Sequence, residues 1–267
     1  MTTGATPEEP QARGAHFVQS LDRGLAVIRA FSAQTPAMTL SEVARATGLT
    51  RAAARRFLLT LSDLGYIRSD GRLFRLTPRV LELGYAYLSS ADLPEVAQPH
   101  LERLAAEVHE SSSLSILDGD DVVYIARAAT SRIMTVSINV GTRFPAYATS
   151  MGRVLLAGRP PAELESYLKR VRLDPLTSRT ISSADRLRSE LEKIRSQGWA
   201  IVDQELEEGL RAVAVPIRDR QGQVIAATNV SAHASRRSAE DVRRDLLPPL
   251  LAMAARIEAD LEIASRG

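Results

Sequence analysis

The stretch TLSEVARATGLTRAAARRFLLTLSDLGYIRSDGRLFRL, residues 39–76, decides the fold of the front of this chain. Thr39 with Glu42 three residues later has capping-box spacing, in which a hydroxyl and a carboxylate satisfy each other's backbone N–H groups. Leu40, Val43 and Ala44 mark one face of the helix that follows. Gly48 stands where that helix has to stop, because glycine enters the left-handed region at little cost. Thr50 caps a second helix, 51–64. On it Ala54, Phe57, Leu58 and Leu61 share one side, Ala52 and Arg56 point the opposite way, and Arg51 and Arg55 lie on a flank. Two capped helices joined by a short glycine turn, the second with a small basic outer face, make a helix-turn-helix. Residues 66–76 then give two β-rich runs around Asp70-Gly71, a two-residue hairpin signal. A hairpin behind the second helix makes the motif winged.

These residue types suit DNA. Arg51, Ala52, Ala53, Arg55 and Arg56 are the candidates for major-groove and phosphate contact. Arginine pairs bidentately with a guanine edge, each good pair giving about 1–3 kcal/mol of discrimination, and Ala52 and Ala53 are small enough to touch thymine methyls. Thr39, Ser41 and Thr50 sit at helix starts, where hydroxyls and N–H groups meet phosphates. Arg68, Arg72 and Arg75 decorate the wing and reach phosphate or minor groove. The blander reading is a solvated basic helix in a structural winged domain.

The charge distribution bears on that choice. Residues 1–79 hold 11 Arg against 6 acids, while the rest carry 23 Lys+Arg against 26 acids. A basic front and a slightly acidic rear suggest that only the front meets a polyanion. Lys169 and Lys193 are the only lysines. The arginine bias is therefore read as genome composition, and Arg alone says little about phosphate. The 267 residues suffice for two domains, and an apolar content of 45% supports a sizeable core. Cysteine is absent, which excludes disulfides and thiolate sites and fits a cytoplasmic location. No apolar run is long enough for a transmembrane helix. Residues 1–14 lack the apolar region of a signal peptide and read as a disordered tail.

The remaining elements follow in order. Leu21, Leu25, Ile28 and Phe31 recur at helical spacing in 17–32, a helix expected to pack behind the helix-turn-helix pair. Residues 15–78 thus form the winged domain. Thr77-Pro78 restarts a helix, apolar nearly all round, over a linker at 79–91. Leu81, Tyr85 and Leu88 are expected in a dimer interface there, since readers of this type bind two half-sites. Burial within its own domain is the alternative.

From Asp92 the pattern becomes mixed. A helix is expected over 93–110, with strands at 113–117, 122–126 and 133–140. Residues 141–157 read as a polar loop running into a helix whose first turn holds Thr149, Ser150 and Gly152. Helices follow from Pro160-Pro161 and from 182–185 to Gly198, with strands at 199–204, 212–217 and 223–231. A last helix starts near Ser238, and Pro248-Pro249 should bend or interrupt it. Residues 92–267 therefore read as an α+β domain with a mostly antiparallel sheet and flanking helices.

The chain resembles the IclR family of bacterial transcriptional regulators over about residues 15–265. The resemblance lies in 18–28, VQSLDRGLAVI, in the winged helix, and in 203–219, with EGLRAVAVPI inside it. RFPAYATSMGRVLLA, residues 143–157, is similar to the subgroup controlling the β-ketoadipate pathway of aromatic degradation. The resemblance implies a GAF-like effector-binding domain and a homodimer or dimer of dimers on operator DNA. It also implies a small carboxylate effector of the protocatechuate, β-ketoadipate or 4-hydroxybenzoate class. It aligns Ser150 and Met151 with a backbone-donor turn, and Asp203 and Ala212 with further pocket positions. Cysteine is frequent in the family near Ala212, and this chain has none. Chemistry adds Arg143, Tyr147, Asn229 and Ser231, because a carboxylate takes helix-start N–H groups, hydroxyls or an arginine.

Other classes find little support. No dinucleotide, Walker, zincin or serine-hydrolase motif occurs, and neither enzyme activity nor a cofactor is expected. The acidic turn Asp118-Gly-Asp-Asp lacks the spaced ligands of a calcium loop. His16, His100, His109 and His233 are scattered. Asp203, Glu205, Glu207 and Glu208 imitate a metal cluster but read as a solvated acidic loop. Two alternatives stay open: a regulator of a different carbon source, and a sensor-domain enzyme fused to a DNA-binding head.

Overall fold

The computed structural model describes residues 16–32, 34–83, 92–130 and 138–264. The expected tail, Tyr85 and Leu88 of the linker, and most of the strand at 133–140 lie outside them. The chain divides into two compact units, Met1–Tyr87 and Leu88–Gly267.

The first unit holds α1 (Gln19–Arg29), β1 (Met38–Thr39), α2 (Leu40–Thr47), α3 (Arg51–Asp63), β2 (Ile67–Ser69) and β3 (Leu73–Leu76). Its sheet runs β1-β3-β2, all antiparallel. Val27, Phe31, Val43, Ala54, Leu58, Leu61 and Ile67 form its core. Each fully buried aliphatic there is worth about 1.5–3 kcal/mol. Leu21 and Leu25 do not join them, being 63% and 40% exposed. Val27 and Phe31 face inward, while Leu21 and Leu25 project from another side of the same helix. The two-residue β1 pairs Met38 with Phe74 and Thr39 with Leu73; so short a strand leaves no periodicity to read.

The wing turn is centred one residue later than Asp70-Gly71. Ser69 pairs with Phe74, and Asp70 N–H donates to the Leu73 carbonyl at 3.2 Å. Gly71 and Arg72 are therefore the central pair, with Gly71 at φ +94°. Asp70 Oδ1 accepts from the N–H groups of Arg72 (3.1 Å) and Leu73 (2.7 Å), which fixes this register. Those two bonds hold the Asp70 carboxyl below its ordinary range.

The second unit opens with α4 (Asp92–Val108), β4 (Ser111–Asp118), β5 (Asp121–Ala128) and β6 (Arg143–Pro145). Then come α5 (Ser150–Ala157), α6 (Pro161–Arg170), α7 (Ala184–Gln197), β7 (Ala200–Asp203), β8 (Leu210–Arg218) and β9 (Val224–His233). A single turn (Ala239–Asp241) and a π-helical segment (Val242–Leu246) lead into α8 (Leu247–Ala264). The π-turn lies about one turn ahead of Pro248-Pro249. Widening the helix there relieves the clash of each proline ring with the carbonyl four residues back.

The six strands run β6-β5-β4-β9-β8-β7, and every pairing is antiparallel. Alternation along each strand sorts side chains to two faces. Val213, Val215 and Ile217 join Leu101, Leu104, Leu250 and Ile257 under α4 and α8. Ala214 and Ala227 face Val154, Leu155, Leu187 and Leu191 under α5 and α7. The small side chains on the second face let α5 lie close to the sheet.

Candidate nucleic-acid interface and effector site

The helix-turn-helix has the expected caps. Glu42 N–H donates to Thr39 Oγ1, while Thr39 N–H (2.7 Å) and its hydroxyl (2.8 Å) donate to Glu42 Oε2. Those bonds hold the Glu42 carboxyl below its ordinary range. The Thr39 hydroxyl proton is thereby committed to α2. Gly48, at φ +65°, ends that helix. Thr50 Oγ1 accepts from Ala53 N–H at 3.2 Å and keeps its own O–H for another acceptor.

On α3, Ala54, Leu58 and Leu61 are buried and Phe57 is half-buried. Arg51, Ala52, Arg55 and Arg56 are exposed; Ala53 and Ser41 are half-buried, set back from the outermost surface. On the wing Arg68 and Arg75 are cross-strand partners. Like charges directly opposite are unfavourable unless an anion lies between them. Arg51, Arg55, Arg56, Arg68, Arg72 and Arg75 make no ion pair among the described residues. Arg79, just beyond the wing, pairs with Glu82 at 3.4 Å. Leu81 of the linker is 70% exposed.

In the second unit a cavity opens on the α5 side of the sheet. It is lined by Tyr124, Ile138, Ala148, Thr149, Ser150, Met151, Val202, Leu206, Leu210, Ala212, Asn229 and Ser231. Thr149 caps α5, its hydroxyl oxygen accepting from Gly152 N–H at 3.0 Å. The N–H groups of Ser150 and Met151 are left in the first turn, at the positive end of the helix dipole. Gly152 makes this junction possible, since a side chain there would collide with the Ala146 carbonyl. Asn229 is 3% exposed. Its amide donates to Ser231 Oγ at 3.1 Å, and its Oδ1 has no partner among the described residues. A buried carbonyl oxygen without a donor is a costly feature that a bound O–H or N–H relieves. Burial pushes the Tyr124 hydroxyl up to about 12, with Arg127 pulling the other way. The enclosed space is about 20 Å³, enough for roughly one water. An aromatic acid enters only as the walls part.

Five of the expected effector residues thus meet here: Ser150, Met151, Ala212, Asn229 and Ser231. Three do not line the cavity. Arg143 is held by the acidic hairpin turn, donating to Asp118 Oδ2 (2.6 Å), the Asp118 carbonyl (2.9 Å) and Asp121 Oδ2 (3.2 Å). The Asp118 carboxylate, then Asp121, holds its guanidinium more firmly protonated than usual. Tyr147 is buried and donates to the Asp174 carbonyl at 2.9 Å; burial, then Asp174, raises its hydroxyl. Asp203 accepts from Arg211 (2.8 Å) and Arg179 (2.9 Å).

The acidic loop is not simply solvated. Glu205 is buried against Arg153, itself 1% exposed, through bonds of 2.8 and 2.5 Å. Arg153 Nε donates to the Tyr147 carbonyl at 2.8 Å, and Glu205 Oε2 also accepts from Ile181 N–H at 2.9 Å. This pair fastens α5 to the β7–β8 loop, which brings Leu206 and Leu210 to the cavity. Leu206 and Tyr124 were not expected there. An apolar residue inside the acidic run 203–208 and an aromatic on an alternating strand were the available signals. Among the described residues no cluster of metal-ligand type occurs, and no helix is long and apolar enough to cross a membrane.

Comparison with known proteins adds context. Residues 20–71 match the IclR helix-turn-helix domain, and residues 85–259 match the bacterial transcriptional regulator IclR C-terminal domain. The Pca regulon regulatory protein of Pseudomonas putida is 49% identical over 237 residues, covering 88% of this chain and 81% of that one. The crystal structure of a transcriptional regulator from Rhodococcus sp. RHA1 superposes with a TM-score of 0.84 at 59% identity, over 93% of this chain and 100% of that one. An IclR homologue from Microbacterium hydrocarbonoxydans, solved with 4-hydroxybenzoate, superposes with a TM-score of 0.80 at 27% identity, over 91% of this chain and 99% of that one.

Proposed function

We propose that this chain, which belongs to the IclR family of bacterial transcriptional regulators, controls genes of aromatic-acid catabolism in response to a small carboxylate. Membership makes it a DNA-binding regulator rather than an enzyme. The pathway comes from its relatives: one governs a Pca regulon and another was solved with 4-hydroxybenzoate. The observation that carries the effector half is the cavity at the start of α5, where two N–H groups face an unpartnered Asn229 oxygen. A carboxylate fits the first and a hydroxyl donor fits the second. The winged unit, residues 15–78, supplies operator contact through the exposed α3 arginines and the wing. Residues 79–91 join two copies into a dimer or dimer of dimers, which two half-sites require. Such a protein works in the bacterial cytoplasm, beside the DNA.

Calorimetric titration of the full chain with protocatechuate, 4-hydroxybenzoate and β-ketoadipate tests this reading. Saturable binding of at least one is expected, weakened by Asn229→Ala. Heats indistinguishable from dilution for all three would remove the pathway assignment and leave family membership intact.

A further inference from the structure

One arginine near the cavity has no carboxylate. Cross-strand register on this sheet runs Ala214, Asn229, Ser113, Arg127. Residues directly opposite share a face, so Arg127 lies on the side of the sheet that carries Asn229 and the cavity. Tyr124 lines that cavity and feels the Arg127 charge. A bulge at Leu114/Ser115 leaves Ile125 without an opposite residue, which keeps Tyr124 and Arg127 on one face although they are three residues apart.

Arg127 is half-buried, and burial disfavours its charged form. Among the described residues no acid pairs with it. The following stretch 131–137, SRIMTVS, and the linker stretch 84–91, GYAYLSSA, contain no acid to supply one. Elsewhere in this unit buried arginines are neutralised: Arg153 by Glu205 and Arg211 by Asp203. A partly desolvated guanidinium without a counter-ion, beside a cavity whose other end is a helix start, gives that cavity two positive poles.

We propose that Arg127 is a specificity-determining residue that reads a second anionic end of the effector, so that the site favours a dicarboxylate over a monocarboxylate of similar size. The inference rests on reading the cavity as the effector site. One carboxylate takes the N–H groups of Ser150 and Met151. The other pairs with the planar fork of Arg127, a geometry lysine does not reproduce.

The test is titration of the full chain with β-ketoadipate, a dicarboxylate, and 4-hydroxybenzoate, a monocarboxylate, for wild type, Arg127→Gln and Arg127→Lys. Wild type is expected to bind the dicarboxylate more tightly. Arg127→Gln should weaken it by about tenfold or more, while the monocarboxylate changes by less than about threefold. Arg127→Lys should restore part of the loss. Thermal melting shows whether each variant folds; if Arg127→Gln does not, Arg127→Lys carries the comparison, with a dicarboxylate-only loss expected. Equal losses for both ligands, or none for either, would overturn the assignment while leaving the effector site standing. Binding of neither ligand to wild type would overturn the effector reading and this inference with it.

Discussion

In the winged unit Arg51, Arg55, Arg56, Arg68 and Arg72 are exposed, and among the described residues none meets a carboxylate at ion-pairing distance. In the larger unit Arg143, Arg153, Arg170, Arg179, Arg188 and Arg211 each do. The same residue type thus serves two ends. Where acids are absent, the cations are left for a polyanion, and counterion release on neutralising phosphates drives binding. Where acids are present, the cations join loops to helices. Arg68 opposite Arg75 sharpens the contrast, because a structural hairpin gains nothing from two facing cations.

Cutting the best-buried of the paired arginines from its partner should have the largest effect. Glu205→Ala leaves Arg153 as a buried charge without its partner, and such losses cost about 3–5 kcal/mol. Urea unfolding should show the drop, and effector affinity should fall with it, since the pair anchors the loop bearing Leu206. Replacing both residues by methionine should recover much of the stability, because apolar packing substitutes for a buried ion pair. A Glu205→Ala protein with an unchanged urea midpoint would put this pair with the dispensable surface bridges.

The winged motif was legible because its determinants are local. Capping boxes, a helix-ending glycine and an inward apolar side all lie within a few residues of what they control. The Thr39–Glu42 box and the Thr50 cap stand as read. The effector site was legible only where helix-start chemistry or strand alternation marked it, as at Ser150, Met151, Asn229 and Ser231. Arg143 was misplaced because the reading weighed what an arginine can bind, not which acids the hairpin brings to it. The Arg153–Glu205 pair was invisible because its partners are 52 residues apart and meet only through tertiary packing. Leu21 and Leu25 show the same limit: periodicity finds an apolar face but does not say whether its own unit covers it.

The unpaired set should show its effect on DNA and not on folding. Arg56→Ala is expected to weaken operator binding by about 1–3 kcal/mol if it reads a base edge. If it meets only phosphate, the salt slope of binding should fall by about one. Thermal stability should stay within about 0.5 kcal/mol of wild type, as for an exposed residue without partners. Fluorescence anisotropy on an operator fragment at several salt concentrations separates the cases. Operator binding unchanged in strength and slope would remove Arg56 from the interface.

The smallest effect should come from Arg143, where the two sets look most alike from outside. It is 45% exposed, yet three bonds tie it to the Asp118–Asp121 turn. An exposed ion pair is screened and contributes about 0–1 kcal/mol, so Arg143→Ala should shift the urea midpoint only slightly, and less at high salt. Operator affinity should not change, because the Arg143 charge is already answered by two aspartates. Effector affinity should not change either, because Arg143 does not line the cavity. A marked loss of effector binding in Arg143→Ala, with stability intact, would mean that this arginine leaves its aspartates for the ligand. Pairing in the ligand-free chain would then no longer separate structural arginines from functional ones.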